Sequence, residues 1–155
     1  MSITLATSKV LWARARDQCA FPGCQQALTQ ESTDAATGEV RTTPVGEQAH
    51  IRSSKPDGPR HDHNYPASRV HTHENLILLC PTHHARVDAN KGAEFTVEAL
   101  IDMRKMHETQ AKRRGEIEKT VQKYVAQQYG ADDRVLFEQV DLNGPTVDSM
   151  FVDVP

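Results

Sequence analysis

Two pairs of side chains that commonly bind zinc lie far apart along this sequence. Cys19 and Cys24 flank a Pro-Gly turn, and Cys80 and His83 are separated by two residues, the spacing of a zinc half-site. Together they predict a closed Cys3His site for a structural Zn2+, whose binding energy would be part of the folding energy. The alternative is that the cysteines are unrelated and are buried as free thiols.

A second metal-binding group begins at the residue after His83. Neighbouring side chains on a helix point about 100 degrees apart, so His84 is predicted to face away from the zinc. Asp88 is four residues further on and would share the face of His84. An imidazole and a carboxylate with other coordination positions open suit a catalytic divalent ion, which could be Mg2+, Mn2+, Ni2+ or Zn2+. The alternative for Asp88 is a charge on the helix surface.

The elements that must position these side chains follow from local patterns. The apolar run 76–79 predicts a strand that ends at Cys80 and turns into a helix carrying the two histidines. Another strand is predicted over 45–51, with His50 near its end. A long Pro-, Gly- and His-rich loop over 53–73 separates the two strands, and loops of this length are usually functional or mobile.

Further elements are predicted on either side of this corner. A short helix over 8–17 begins at Ser8, and two short strands flank the Thr37-Gly38 turn. The remaining predictions are a helix from 97 to about 112 capped by Thr96, an interruption at Gly115, a second helix ending at Gly130, and strand-like runs over 134–137 and 148–155. The second helix carries an apolar stripe, which is expected to pack within the chain or in a dimer: Ile117, Val121, Tyr124 and Val125.

The composition favours a small domain stabilised by metal. Of the 155 residues, 37% are hydrophobic and 5% aromatic, so apolar burial alone gives a modest core. Three cysteines cannot all pair, and the N-terminus lacks a signal-peptide pattern, which together predict a cytoplasmic protein with reduced thiols. No apolar run approaches membrane-spanning length, so no membrane partner is expected.

The order of these motifs resembles the HNH endonucleases, a family named for its His, Asn and His positions. The resemblance rests on Cys-x4-Cys, on Ala-His-Ile ending a strand, and on Glu-Asn-Leu-Ile-Leu-Leu-Cys-Pro-Thr-His-His. It covers about residues 7–108 and matches His50, Asn75 and His84 to the three named positions. It implies an α+β fold in which a small zinc-stapled ββα-metal core is flanked by an N-terminal helix and C-terminal helices.

The resemblance implies a metal-dependent endonuclease that hydrolyses DNA phosphodiesters. His50 would be the general base, because its unperturbed pKa lies near neutrality. Asn75 would orient the loop and His50, and His84 would hold the ion that bridges the scissile phosphate and the leaving oxygen. The products would carry a 5′ phosphate and a 3′ hydroxyl. Similar motifs occur in HNH domains of bacterial anti-phage defence proteins, which implies the effector nuclease of a defence or restriction system.

One position departs from the family pattern. Many members have a metal-binding Asp or His directly before the general base, where this chain has Ala49. Either Asp88 replaces that ligand, or metal binding stays weak until a DNA phosphate contributes. The loop histidines could also supply a ligand, although a solvated side chain is the expected state of each: His61, His63, His71 and His73.

Cations near the site are expected to contact the phosphates of duplex DNA. The best placed along the sequence are Arg52, Lys55, Arg60 and Arg86. A second basic group, which could equally be a solvated helix face, comprises Arg104, Lys105, Lys112, Arg113 and Arg114. Since the sequence has no aromatic-rich platform or recognition-helix pattern, little sequence preference is expected.

Charge divides the chain into a mildly basic body and an acidic tail. The net charge is −3, but residues 131–155 hold six acids and one base, which leaves the first 130 residues at +2. We predict an HNH nuclease domain over 1–108, a helical extension over 109–130 and an acidic tail over 131–155. Either the native chain continues and the tail begins a further domain, or the tail docks on a partner. A homo-oligomer or a regulatory partner is expected to use the C-terminal helices and the tail.

Two rival functions stay open. A zinc-stabilised module that binds DNA or protein without catalysis is favoured by Ala49. A nuclease that prefers RNA would carry the same motifs. Against a module without catalysis stands the joint presence of His50, Asn75 and His84, which a scaffold would not need.

Overall fold

The computed structural model describes residues 2–139 of the chain, with side chains described for residues 2–129. The chain forms two units, Met1–Arg113 and Arg114–Pro155. In chain order the elements are α1 (Leu5–Ala15), β1 (Thr29–Thr33), β2 (Val40–Pro44), β3 (Glu47–His50), β4 (Leu76–Leu79), α2 (Pro81–Asp88) and α3 (Val97–Gln139). Short 3-10 turns occupy Ala67–Arg69, His73–Asn75 and Ala89–Gly92.

The centre of the first unit is a ββα arrangement. Strands β3 and β4 pair antiparallel, with Glu47 opposite Leu79 and His50 opposite Leu76. Helix α2 follows β4 directly, with Pro81 in its first turn, where the missing backbone N–H costs no hydrogen bond. The α+β fold predicted from the sequence is confirmed.

The core of this unit forms around β4, all of whose side chains are buried. Such a four-residue apolar run is typical of a strand covered on both faces. The largest fully buried apolar side chains outside β4 come from several elements: Leu11, Leu28, Ile51, Val87 and Leu100. The predicted small core is therefore present, and it holds both ends of β4 in place, the ends at which Asn75 and Cys80 stand.

The N-terminal helix begins earlier than predicted. Helix α1 starts at Leu5, and the Thr4 hydroxyl caps it by accepting a hydrogen bond from the backbone N–H of Thr7 at 3.1 Å. Ser8 lies inside the helix, where its hydroxyl donates to the Gln48 side chain at 3.0 Å. The prediction of a cap at Ser8 was wrong because Thr4, an equally good cap, stands one turn earlier.

The hairpin predicted around the Thr37-Gly38 turn is confirmed. Strands β1 and β2 pair antiparallel, with Thr33 opposite Val40. The Asp34 carboxylate accepts hydrogen bonds from the backbone N–H groups of Ala36 and Thr37 at 2.8 and 2.9 Å, which closes the loop. These N–H groups also lower the pKa of Asp34.

The long C-terminal helix differs from the predicted pair of helices. Thr96 caps α3 as predicted, with its hydroxyl 3.2 Å from the Ala99 backbone nitrogen. The helix then passes through Gly115 and Gly130 without a break. A helical glycine costs about 1 kcal/mol relative to alanine but keeps its backbone hydrogen bonds, so it weakens the helix without ending it.

The strand-like run predicted over 134–137 is also wrong, since these residues belong to α3. The run over 148–155 lies outside the described residues. Within residues 2–139, no helix has the combination of length and apolar character that crossing a membrane requires.

Candidate functional site

The four predicted zinc ligands converge on one point. The donor atoms of Cys19, Cys24, Cys80 and His83 all lie within 4.8 Å of one another. Nδ1 of His83 is 3.7 Å from the Cys19 sulfur and 3.1 Å from the Cys80 sulfur. Tetrahedral Zn2+ places such donors roughly 3.5–3.8 Å apart, so the cluster fits the ion with small adjustments. This Cys3His group could hold a structural zinc.

The surroundings of the cluster act in opposite directions on the thiolate form that zinc requires. Burial raises the pKa of the Cys19 thiol to about 12, which opposes the thiolate form that zinc requires. A divalent ion would offset this cost by stabilising the thiolate. The backbone N–H of Cys80 points at the Cys19 sulfur at 3.3 Å and would help in the same direction.

An aromatic stack fixes the imidazole of the cluster. The Phe21 ring lies flat on the His83 ring, with centroids 4.0 Å apart and planes 9° apart. Phe95 meets Phe21 edge-on at 5.8 Å, and the Arg86 guanidinium covers both phenylalanine rings at 5.2 and 5.5 Å. The ring of His83 is therefore oriented by packing as well as by its donor role.

His84 turns away from the zinc cluster, as predicted. Its Nδ1 contacts the carboxylate of Glu47 on β3, and its Nε2 lies 3.3 Å from the carboxylate of Asp88. The hydrogen bond to Asp88, and then that to Glu47, raise the pKa of His84. The carboxylate of Asp88 is itself partly buried, yet its hydrogen bonds to His84 and Arg60 lower its pKa.

Asn75 is fully buried between the two histidine-bearing segments. Its side-chain oxygen accepts from the Arg52 backbone N–H at 3.0 Å, and its amide donates to the carbonyls of Arg52 and Val70 at 2.9 Å each. Its backbone carbonyl accepts from the Ile51 N–H at 2.8 Å. The side-chain oxygen, the side-chain amide and the backbone carbonyl of Asn75 therefore all bond to Ile51 or Arg52, directly after β3.

His50 ends β3 and is half-buried. Its Nε2 lies 3.0 Å from Nδ1 of His71, which comes from the loop before β4. Burial, and then the neighbouring His71, lower the pKa of His50. The ring therefore stays neutral to a lower pH than an ordinary histidine does. A neutral imidazole is the form that can accept a proton.

One arginine joins the ends of β3 and α2. Nη2 of Arg60 lies 2.5 Å from the Asp88 carboxylate and 3.5 Å from the His50 carbonyl. Its Nε donates to the Ile51 carbonyl at 2.8 Å, and its Nη1 donates to the Val87 carbonyl at 2.6 Å. A single guanidinium therefore brings His50 and the Asp88 end of α2 to the same place.

All of these side chains fall in one segment that matches a known family. Residues 19–91 match the family model of the HNH endonucleases. The resemblance seen in the sequence is confirmed for this stretch, which we call the HNH segment. Its Cys3His cluster fits an HNH domain that binds zinc. The match to this family suggests nuclease activity on nucleic acid. Among curated proteins, none matches the chain.

A catalytic ion has fewer ready-made ligands in the HNH segment than the zinc has. Among residues 2–129, three or more His, Cys, Asp or Glu donors come together at one place only, the Cys3His cluster. Nε2 of His84 and the Asp88 carboxylate supply two donors 3.3 Å apart, close to the spacing of roughly 3 Å between adjacent ligands of an octahedral ion. Ala49 is 1% exposed and adds no donor.

The cations predicted to bind phosphate differ in their surroundings. The Arg60 side chain is 6% exposed and is engaged by Asp88 and backbone carbonyls, so in this arrangement it is not available to a phosphate. Arg86 is 51% exposed but pairs with Glu94 at 2.6 Å on the zinc side of the domain. Lys55 is exposed, and Arg52 covers the Tyr65 ring at 4.6 Å beside the segment that follows His50.

The second basic group is divided by burial. Arg104 is 8% exposed and lies 3.3 Å from Glu108, so it belongs to the interior. The other four side chains are exposed: Lys105, Lys112, Arg113 and Arg114.

The expectation of solvated loop histidines was wrong for three of the four, since His61 is partly buried with its Nδ1 3.2 Å from the Ser53 carbonyl, and only His63 is exposed. His71 contacts His50, and His73 pairs with Glu108 at 2.8 Å with 10% of its side chain exposed. His61 and His63 pack ring to ring at 4.8 Å in the loop. Sequence spacing gave no signal for His71 because its partner is 21 residues away and is reached only through the loop.

Glu47 was not expected at the site. It begins β3, and the antiparallel register places it opposite Leu79, directly before the corner that leads to His84. The alternation of the strand was visible in the sequence, but the register was not. A carboxylate on the second nitrogen of a metal-binding histidine is a common way of fixing the ring.

Proposed function

We propose that the HNH segment is a metal-dependent endonuclease that hydrolyses DNA phosphodiesters, and that the protein acts in the cytoplasm as the effector of a bacterial defence or restriction system. The observation that carries the proposal is the shared guanidinium of Arg60. It bonds to the His50 carbonyl and to Asp88, so a candidate base and a candidate metal ligand meet at one corner.

His50 acts as the general base in this proposal. It takes a proton from water, the water oxygen bonds to phosphorus, and the bond from phosphorus to the 3′ oxygen breaks. The 3′ oxygen then takes a proton from solvent, which gives a 5′ phosphate and a 3′ hydroxyl. The lowered pKa of His50 is consistent with this role because the ring is neutral at neutral pH and has a nitrogen that can accept a proton.

His84 and Asp88 are the residues that would hold a divalent ion, which could be Mg2+, Mn2+, Ni2+ or Zn2+. When bound, the ion supplies charge neutralisation at the phosphate and at the leaving oxygen. Glu47 would fix the His84 ring by accepting the proton on Nδ1, which leaves Nε2 for the ion. With Ala49 contributing no ligand, the remaining coordination positions would be filled by water and by phosphate.

Phosphate recognition is assigned to Lys55, which is exposed, and to Arg52, whose side chain is 21% exposed and lies 3.8 Å from the Asp62 carboxylate. Lys55 and Arg52 follow His50 in the chain, and the exposed members of the second basic group lie on α3. Arg60 is assigned to holding the corner instead. Contacts of this kind read the backbone, so duplex DNA with little sequence preference is the proposed substrate.

A nicking assay tests the proposal. Purified protein with its zinc intact is incubated with supercoiled plasmid, linear duplex and single-stranded RNA under Mg2+, Mn2+ or Ni2+. We expect nicking of DNA by the wild type and a loss of at least about 100-fold in His50→Ala, the scale of general base catalysis. His63→Ala, a loop histidine that does not contact His50, is the matched control. Cleavage that survives in His50→Ala would reject the assignment of the base.

Asp88 is tested separately by metal binding. Asp88→Asn removes one charged donor and should weaken Mn2+ binding at the second site while the zinc content stays the same. Asp57→Asn, which changes an exposed loop carboxylate, is the control. Equal Mn2+ affinity in both variants would remove Asp88 from the ligand set.

A module that binds DNA or protein without cleaving it is the second candidate. It is supported by one observation, that the described residues offer only two donors beside His50 where the zinc has four. Tight DNA binding by folded, zinc-loaded protein with no cleavage under any of the three ions would favour it over the enzyme. Cleavage of RNA alone would favour the RNA-preferring nuclease.

A further inference from the structure

The loop before β4 brings a second imidazole to the ring of His50. Nδ1 of His71 lies 3.0 Å from Nε2 of His50, and the ring planes meet at 74° with centroids 5.2 Å apart. Two imidazole nitrogens at this distance share one proton, so one of them donates and the other accepts. The direction of this hydrogen bond decides which nitrogen of His50 is free to act as a base.

The other ring nitrogen of His50 shows which direction the proposed base role requires. Nδ1 of His50 has no hydrogen-bond partner within the described part of the chain. It is also not one of the buried polar atoms that lack a partner there, which are Oδ1 of Asp17 and Nε of Arg104. Nδ1 therefore reaches solvent. With the proton on Nε2, Nδ1 presents a lone pair to water; with the proton on Nδ1, no basic nitrogen faces water.

The backbone on both sides of this contact is held in place. Asn75 donates to the carbonyl of Val70, the residue before His71, and to the carbonyl of Arg52, two residues after His50. The Thr72 hydroxyl on the other side of His71 donates to the Arg69 carbonyl at 2.9 Å. One buried amide thus aligns both histidine-bearing segments, which is the arrangement that a fixed contact between two rings needs.

We propose that His71 is the positioning residue of His50: Nδ1 of His71 accepts the Nε2 proton of His50, holds the ring, and leaves Nδ1 of His50 as the atom that takes a proton from water. The inference rests on the proposed nuclease function. The other charged or titratable groups facing His50 are Asp88 and His84 on α2, and Arg60 at its backbone carbonyl. Among the described residues, His71 forms a hydrogen bond with the His50 ring, whereas these three do not.

The tautomer of His50 can be read without any activity. Nitrogen-15 NMR of the zinc-loaded full chain, with side-chain signals assigned through His50→Gln and His71→Gln, distinguishes a protonated Nε2 from a protonated Nδ1. We expect the Nε2-protonated form in the wild type, a mixture in His71→Ala, and recovery in His71→Gln, whose amide oxygen can accept the same proton. An Nδ1-protonated His50 in the wild type would overturn the inference, as would a tautomer that His71→Ala leaves unchanged.

Kinetics of DNA cleavage supply the second readout. His71→Ala should lower kcat by about 10- to 100-fold with little change in KM, because the substrate still binds while the base is poorly oriented. His71→Gln should regain a large part of kcat. The control is His63→Ala, with the melting temperature and zinc content of every variant compared so that a folding defect is recognised.

The outcomes separate this inference from the proposed function. If no variant cleaves DNA but the tautomer follows His71 as expected, the nuclease assignment fails and the contact between the histidines stands as described. If the wild type cleaves DNA and His71→Ala cleaves it equally well, the nuclease assignment stands and the positioning role of His71 is rejected.

Discussion

The side chain of Asn75 makes three hydrogen bonds with no exposure to solvent, and they reach two separate segments of the chain. Two of them hold Arg52 just after β3, and the third holds Val70 just before His71. A side chain in this setting does no chemistry of its own. Its effect on catalysis would be indirect, through the positions of His50 and His71.

Asn75→Ala is expected to lower the free energy of unfolding by about 1–3 kcal/mol, because three backbone groups of the partly buried Arg52 and Val70 would lose their hydrogen-bond partner. Denaturant unfolding at fixed zinc concentration measures the loss. Asn64→Ala, an exposed asparagine in the same loop, should change stability by less than about 0.5 kcal/mol. Similar stability for the two variants would contradict the hydrogen-bond pattern.

At the scale of elements, the contact between the end of β3 and the end of α2 depends on the close packing of Arg60. Gly92, in the turn after α2, has a φ of +79°, and a Cβ atom there would lie 2.0 Å from Nη1 of Arg60. The turn and the guanidinium therefore fit together only because residue 92 has no side chain. The same guanidinium donates to the carbonyls of Ile51 and Val87. A side chain at residue 92 would therefore disturb the hydrogen bonds to both of these residues.

Gly92→Ala should destabilise the protein clearly more than Gly38→Ala does. Both glycines have left-handed backbone angles, φ +79° and +72°, but a Cβ at Gly38 meets nothing within 4 Å. Gly38→Ala thus reports the backbone cost alone, about 1–2 kcal/mol, and the excess in Gly92→Ala reports the collision with Arg60.

Thermal and denaturant unfolding of both variants measure that excess. In the double variant Gly92→Ala/Arg60→Ala the two costs should be less than additive, since the collision is gone. Equal losses in Gly92→Ala and Gly38→Ala would show that Arg60 can move aside without cost.

At the scale of the whole molecule, the Cys3His cluster joins parts of the first unit that are far apart in sequence. Cys19 and Cys24 follow α1, whereas Cys80 and His83 stand at the corner between β4 and α2. The hydrophobic core is small and is centred on a single four-residue strand. Binding of an ion at this cluster would therefore contribute directly to folding.

Cys80→Ser is expected to bind about one zinc ion fewer per chain and to lose cooperative unfolding, since the cluster loses a thiolate and the fold loses its connection. Elemental analysis and near-UV circular dichroism measure the two effects. A strong chelator should produce the same change in the wild type, and added zinc should reverse it. His61→Ala, outside the cluster, should keep its zinc. A Cys80→Ser protein that stays folded with full zinc content would refute the site.

The second unit raises a different question, which concerns self-association. In its described part the apolar stripe of α3 is exposed, at 55% for Ile117, 53% for Val121, 61% for Tyr124 and 56% for Val125. The predicted packing of this stripe within the chain is not seen among the described residues. The other predicted arrangement, pairing with a second copy, would cover the stripe.

If α3 pairs with a second copy, Val121→Lys together with Val125→Lys should shift the protein toward monomer. Sedimentation velocity over a range of concentrations would measure this. Lys119→Glu, on the opposite side of the helix, is the control and should leave the association unchanged. A wild type that is monomeric at all concentrations would reject the pairing.

From the sequence alone we could predict the four residues that converge as a Cys3His cluster, the ββα order and the resemblance to the HNH family, because short spacings and apolar runs report local geometry. It did not determine what lies beside those residues. Glu47 reaches His84 through strand register, His71 reaches His50 through a loop, and Arg60 is buried by contacts with two distant elements. These contacts depend on the packing of segments far apart in the chain, which local pattern does not contain, and only the tertiary structure could decide them.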